Sequence, residues 1–322
     1  MAEGITDTHE LAPGVWRVET VEDDKLHGYH VLDGAGGPVV VDPGYRFAPT
    51  EVYEPFLDRH GWDLADVSLA LVTHADADHF GGNHRLREHA PQVTIAGHAA
   101  DVPWMESVET ILDERYAAFA DHGITYPNEV IDWLTKMMGP DAAVDVSLRG
   151  GESVRVRDRR LTVLHTPGHT EGHCMLYDPA HDVVIGADGF FGRGLRDVDG
   201  NYLQPPPYFH YPAYETTIQQ VESLDPDVLS FTHYDLLEGD AIDDFVADSL
   251  DFVAEMETLA RDLAADGPVT LQAAIDETVE RKGDFGLNLD LAAPLSAHFS
   301  DLVDRGELVR TEVEGVPAWE TA

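Results

Sequence analysis

An apolar run at residues 67–72 passes without interruption into Thr73-His74-Ala75-Asp76-Ala77-Asp78-His79-Phe80-Gly81-Gly82-Asn83. The run has the length and composition of a fully buried strand. His74, Asp76, Asp78 and His79, all able to bind a metal, therefore sit together at the end of a buried element. Imidazoles and carboxylates left there without partners would cost several kcal/mol in desolvation. Divalent metal ions are the natural partners, because imidazole with carboxylate suits zinc, iron or manganese. Gly81-Gly82 would let the following helix approach the cluster closely.

Three later segments repeat the arrangement, each at the end of a β-prone run. They are His165-Thr166-Pro167-Gly168-His169-Thr170, then Gly186-Ala187-Asp188-Gly189, then Ser230-Phe231-Thr232-His233. With the first cluster they resemble the metallo-β-lactamase superfamily, whose pattern is His-x-His-x-Asp-His, Gly-His, Gly-Asp and a late His. The resemblance spans residues 14–235. It implies a first metal held by His74, Asp76 and His169, a second held by Asp78, His79 and His233, and Asp188 bridging them. It also implies that Asp42, in Val40-Val41-Asp42-Pro43-Gly44, orients a ligand, as metal-bound histidines usually require on their other nitrogen. A plain turn residue ahead of Pro43-Gly44 is the other reading.

One position departs from the pattern, since Asp76 stands where the family usually has histidine. An oxygen donor there makes the first site more anionic and shifts preference toward iron or manganese. Flavin-linked diiron members share that carboxylate, but nothing in this chain resembles their flavodoxin-like domain. Two zinc ions are the expectation, with iron or manganese the alternatives. Such ions would hold a bridging water, lower its pKa and polarise the substrate, with Asp78 as the catalytic residue that accepts the proton. A hydrolase acting on an ester, thioester, lactone or related small molecule follows. Gly81-Gly82-Asn83 and the stretch Thr166 to His173 look most like glyoxalase II-like hydrolases.

Alternating short β-prone runs and helices fill each half of residues 1–239, which fits an α+β, four-layer αββα sandwich. Residues 98–146 differ, with Trp104, Tyr116, Phe119, Tyr126, Trp133, Met137 and Met138 at loosely helical spacing. They read as a helical insert overhanging the site, packing its own small core, or both. Residues 240–322 read as three helices followed by a hairpin, a small winged-helix-like appendage that covers the site or forms a homodimer contact. Some members with such an appendage cleave RNA, and an endoribonuclease or phosphodiesterase is one alternative function; a non-haem iron oxygenase is another. The appendage carries 20 acidic against 5 basic side chains, a net of −15. Phosphate neutralisation needs the opposite sign, so nucleic acid is not an expected partner; nor is glutathione, which the glyoxalase II-like hydrolases that this sequence resembles bind through basic C-terminal residues.

The whole chain has 61 acidic and 20 basic residues, a net charge of −41, and only Lys25, Lys136 and Lys282 are lysines. Such a chain repels itself at ordinary ionic strength, whereas in molar salt the screening length shrinks to about 3 Å. The expectation is a halophilic protein of a saline cytoplasm. Residues 1–9 lack a basic segment followed by an apolar one, so no secretory leader is expected, and no apolar run is long enough to span a membrane. A single cysteine, Cys174, excludes an intrachain disulfide and reads as a small buried hydrophobe. Among the other histidines, His165 and His173 lie close enough to the Gly-His motif to touch the site. His84 and His89 read as helix-surface residues; His98, His122 and His210 lie where substrate contacts would arise. The remaining histidines carry no signal.

Overall fold

The computed structural model describes residues 4–322. Two sheets face one another. The first has seven strands in chain order: β1 (Asp7–Ala12), β2 (Val15–Glu22), β3 (Lys25–Leu32), β4 (Val39–Val41), β5 (Leu69–Val72), β6 (Thr94–His98) and β7 (Val146–Leu148). Its first three pairings are antiparallel and its last three parallel. The chain then forms β8 (Ser153–Val156), β9 (Arg159–His165), β10 (Cys174–Asp178) and β11 (Val183–Ala187). A small hairpin, β12 (Leu195–Arg196) with β13 (Tyr202–Gln204), precedes β14 (Val228–Phe231) and β15 (Leu237–Glu238). The second sheet runs β15-β14-β11-β10-β9-β8, with β11 and β14 parallel.

Strand periodicity explains the layering. In β4, Val39 and Val41 join the core between the sheets, while Val40 faces the helices outside. In β10, Cys174 and Leu176 point between the sheets and Met175 points outward. Helices cover both outer faces, which makes the αββα sandwich anticipated from the alternating elements. Cys174 is buried and unpaired in the inter-sheet core, as expected.

The parallel pairings matter most for function. Strands β4 and β5 run the same way, as do β11 and β14, and β9 is antiparallel to β10, which is antiparallel to β11. All five therefore end at one edge of the sandwich. Backbone bonds from Gly28 to Thr232 and from Cys174 to Thr73 tie the two sheets together there.

Residues 98–146 are helical in part, with helices Val102–Glu106, Val108–Ile111 and Asn128–Met138. After residue 239 come helices Asp240–Leu263, Leu271–Lys282 and Ala292–Asp304 and a three-stranded sheet of β16 (Val269–Thr270), β17 (Leu308–Val313) and β18 (Val316–Thr321). The sequence reading anticipated the three helices and the hairpin but not β16, a two-residue strand that exists only through its pairing with β18. This region shares one core with the second sheet: Phe252, Met256, Leu295 and Phe299 cluster with Val184, Leu229 and Phe231. No helix among the described residues is long and apolar enough to cross a membrane. Of the segment read as lacking a leader, residues 1–3 lie outside the described residues.

Candidate metal centre

The end of β5 opens into Thr73 and His74, and Asp76 precedes the short helix Ala77–Phe80 that carries Asp78 and His79. Gly82 is required immediately after, because a Cβ there would lie 2.3 Å from the Pro43 carbonyl oxygen. Asp188 follows Ala187, whose φ of 45° is in the left-handed region, a conformation that alanine holds only under surrounding constraint. His169 and His233 follow β9 and β14.

Four histidines converge with the same orientation. Each has its Nδ1 engaged on the outside: His74 with the Thr73 hydroxyl at 3.0 Å, His79 with Asp42 at 2.9 Å. His169 Nδ1 donates to the Pro207 carbonyl at 2.5 Å and His233 Nδ1 to the Leu26 carbonyl at 3.1 Å. The Nε2 atoms point inward toward Asp76, Asp78 and Asp188. There, His74 Nε2, His79 Nε2 and Asp188 Oδ1 are buried without a hydrogen-bond partner.

Spacing tests whether ions fit. Donors on a tetrahedral zinc at about 2.0–2.1 Å are separated by roughly 3.3–3.4 Å. His79 Nε2 lies 3.4 Å from Asp188 Oδ2, His233 Nε2 lies 3.3 Å from the same oxygen, and His233 Nε2 lies 3.3 Å from Asp78 Oδ2. Donor atoms of His74, His169 and Asp188 form a second close group. The orphaned nitrogens and this spacing fit divalent ions.

The electrostatics agree. Burial opposes charge on every group, yet Asp188 and Asp42 hold the His79 imidazolium well above the ordinary histidine range, and Asp188 and Asp78 raise His233 to about 9. Burial also opposes ionisation of Asp188, but His233 and His79 keep its carboxyl well below the usual range. Asp188, buried, and Asp76 and Asp78, half-buried, thus stay ionised, the last two held down by Arg115 and Lys25 with the neighbouring histidines.

All seven expected ligand residues meet in this one place, with Asp42 behind His79. His173 is buried behind Asp188, its Nδ1 bonded to the Thr166 hydroxyl and its Nε2 accepting the Asp188 amide at 3.3 Å. His165 instead turns away, stacked on His98 and bonded to the Glu171 carbonyl.

The family model for the metallo-beta-lactamase superfamily matches residues 29–233. The chain belongs to the metallo-beta-lactamase superfamily. It is 27% identical over 160 residues to the acyl-coenzyme A thioesterase MBLAC2 of Gallus gallus, covering 48% of this chain and 51% of that protein. It is 30% identical over 147 residues to the hydroxyacylglutathione hydrolase of Nitrobacter hamburgensis, covering 45% and 42%. The chain thus spans about half the length of these relatives. Among solved structures, a metallo-beta-lactamase family protein of Thermus thermophilus superposes with a TM-score of 0.74 at 21% identity, over 97% of this chain and 100% of that one. A beta-lactamase domain protein of Burkholderia ambifaria gives 0.75 at 23%, over 98% and 94%. At that identity these two show the fold alone.

Against that superfamily frame, several residues at the site were not singled out in the sequence. His27, at the start of β3, is fully buried with Nε2 3.3 Å from Asp78 Oδ2 and its ring edge-on to His233. Asp101, also fully buried, accepts bonds from the Ala75 amide, the Gly172 amide and the Thr170 hydroxyl, pinning the first motif to the Gly-His loop. Arg115, from the helical insert, grips Asp76 with two bonds of 2.6 Å. For Arg115 a signal existed, because it and Lys136 are the only basic side chains other than histidine in residues 98–146. His27 and Asp101 carried none.

A cleft opens over the centre. The insert lines it with Tyr116, Phe119, Tyr126 and Trp133, and the C-terminal region closes it with Leu287, Leu289, Asp290 and Ala293. Tyr126 donates a short hydrogen bond to Asp290, joining insert and C-terminal region across the mouth.

Proposed function

We propose that this chain is a dinuclear metal-dependent hydrolase of acyl esters or thioesters. His74, Asp76 and His169 would hold one ion and Asp78, His79 and His233 the other, with Asp188 in reach of the donors of both groups. The carrying observation is the convergence of four Nε2 atoms, each fixed from behind through Nδ1, on the carboxylates of Asp76, Asp78 and Asp188. Divalent ions bound there would supply Lewis acidity and a water of lowered pKa.

The chain's own residues do the rest. Asp42 and the Leu26 and Pro207 carbonyls hold the imidazoles in the tautomer that presents Nε2. Asp78 takes the proton of the attacking water, with its Oδ2 steadied by His27 at 3.3 Å. The aromatic wall from the insert and the leucines of the C-terminal region shield an apolar acyl group from water. The named activities of the relatives, acyl-coenzyme A thioesterase and hydroxyacylglutathione hydrolase, support acyl transfer to water over phosphodiester cleavage. Zinc is the preferred metal.

The test is to strip the protein with chelator in molar salt, reload it with zinc, and assay esters and thioesters of increasing acyl length. Chelator-sensitive hydrolysis that improves with acyl length is expected. Hydrolysis untouched by chelation, or zinc-loaded protein active only on phosphodiesters, would refute the reading.

A further inference from the structure

Asp76 is engaged differently from the other two carboxylates. Arg115 Nε donates to its Oδ1 and Arg115 Nη2 to its Oδ2, both at 2.6 Å, the two-pronged fork that gives guanidinium–carboxylate pairs their strength. The Tyr116 hydroxyl adds a third bond to Oδ1 at 3.4 Å, and His169 Nε2 approaches Oδ2 at 2.8 Å. A carboxylate oxygen offers two lone pairs, so Arg115 and Tyr116 take three of the four acceptor positions of Asp76 and leave only the one on Oδ2 that faces His169 Nε2. The Arg115 side chain is only 6% exposed and its guanidinium carbon lies 4.7 Å from the centre of the Phe209 ring. It cannot lose its charge by deprotonation and has little room to swing away.

Asp78 has no such partner. Its nearest lysine or arginine is Lys25, a single contact at 3.9 Å from a more exposed side chain. Donor spacing shows the same contrast. The donors around the second position are separated by 3.3–4.0 Å, whereas Asp76 Oδ2 lies 2.8 Å from His169 Nε2 and 3.6 Å from His74 Nε2.

Building on the two-ion reading above, we propose that Arg115 sets the order of metal loading. By taking up the charge that aspartate adds at position 76, it leaves the His74/His169 position the weaker of the two. The protein then fills the His79/His233 position first and retains a single ion there when metal is scarce. The pair Asp76–Arg115 behaves toward a dication as one neutral ligand. The expected tilt of this carboxylate toward iron or manganese is thereby cancelled, and Arg115 is a positioning and selectivity residue.

The experiment is a titration of metal-stripped, full-length protein with zinc against a competing chelator in molar salt, with bound zinc counted by native mass spectrometry. Wild type should load in two steps, the first ion held about tenfold or more tightly than the second. His233→Ala should abolish the tight step and His169→Ala the weak one. Arg115→Met should strengthen the weak step about tenfold and merge the two. Arg115→Lys, which keeps one cation without the fork, should fall between and serves if the methionine variant does not fold. Should neither fold, the wild-type, His169 and His233 titrations still decide the order. Two equal steps in wild type, loss of the tight step in His169→Ala, or a folded Arg115 variant whose weak step is unmoved or weaker would overturn the order alone. Failure of wild type to bind any zinc would remove the two-ion reading and this order with it.

Discussion

His79 Nδ1 donates to Asp42 Oδ2 at 2.9 Å, and the same carboxylate accepts the Thr73 amide at 2.6 Å and the Thr73 hydroxyl at 2.8 Å. One side chain thus couples the end of β4, the end of β5 and a candidate ligand. Asp42 holds this place at φ +58°, braced by the Tyr53 hydroxyl on its carbonyl. Asp42→Asn keeps the shape but removes the charge that orients the imidazole. Zinc affinity at the His79 position should fall roughly 10–100-fold with little change in melting temperature. A competition titration checks this; unchanged affinity in the folded variant would reduce Asp42 to a turn residue.

Asp101 is a support of a different kind, because it touches no candidate ligand side chain. Replacing it with alanine leaves the Ala75 and Gly172 amides and the Thr170 hydroxyl without their acceptor. Each unsatisfied buried donor costs about 1–3 kcal/mol, so Asp101→Ala should lose on the order of 3–5 kcal/mol of stability. Denaturant unfolding in high salt measures it, and a loss below about 1 kcal/mol would show that water or a shifted loop replaces the carboxylate.

Burial raises the Asp290 carboxyl to about 6 despite its bond from Tyr126, with Arg115 and Lys25 lowering it and Asp76 raising it further. The folded value lies above the unfolded one near 3.9, so folding is most favoured when Asp290 is protonated. Its contribution is complete below about pH 4, declines as pH rises toward about 6, and is absent above. Asp290→Asn removes this dependence. The variant should be more stable than wild type by about 2 kcal/mol near pH 8, with the difference fading by about pH 4. Paired melting curves across that window check it; a difference that stays constant with pH would contradict it.

Salt supplies the fourth expectation. With a net charge of −41, diluting salt from molar to about 0.1 M lengthens the screening distance from about 3 to 10 Å and exposes self-repulsion. The melting temperature should fall steeply on dilution. A flat or rising melting temperature would detach the acidity from any saline adaptation.

Local pattern disclosed the cluster of His74, Asp76, Asp78 and His79, because a buried strand is a continuous apolar run and polar residues stranded at its end call for a partner. His169, Asp188 and His233 joined them as candidate ligands through the resemblance to the metallo-β-lactamase superfamily, and the αββα layering was legible in the alternation of strands and helices. The residues that modulate them were not. His27 reads as one histidine in an ordinary antiparallel strand until β3 is laid beside β14 and its ring meets Asp78 and His233. Arg115 reads as a helix-surface cation until the insert folds over the cleft, 39 positions from its partner Asp76. Asp290 belongs to a short helical turn at Asn288–Leu291 and joins the cleft only because the C-terminal helices share a core with the second sheet. Candidate ligands are legible in short motifs, whose spacing the sequence preserves. Charge compensation, orientation and closure depend on which distant segments come within a few ångströms, and only the packed tertiary structure decides that.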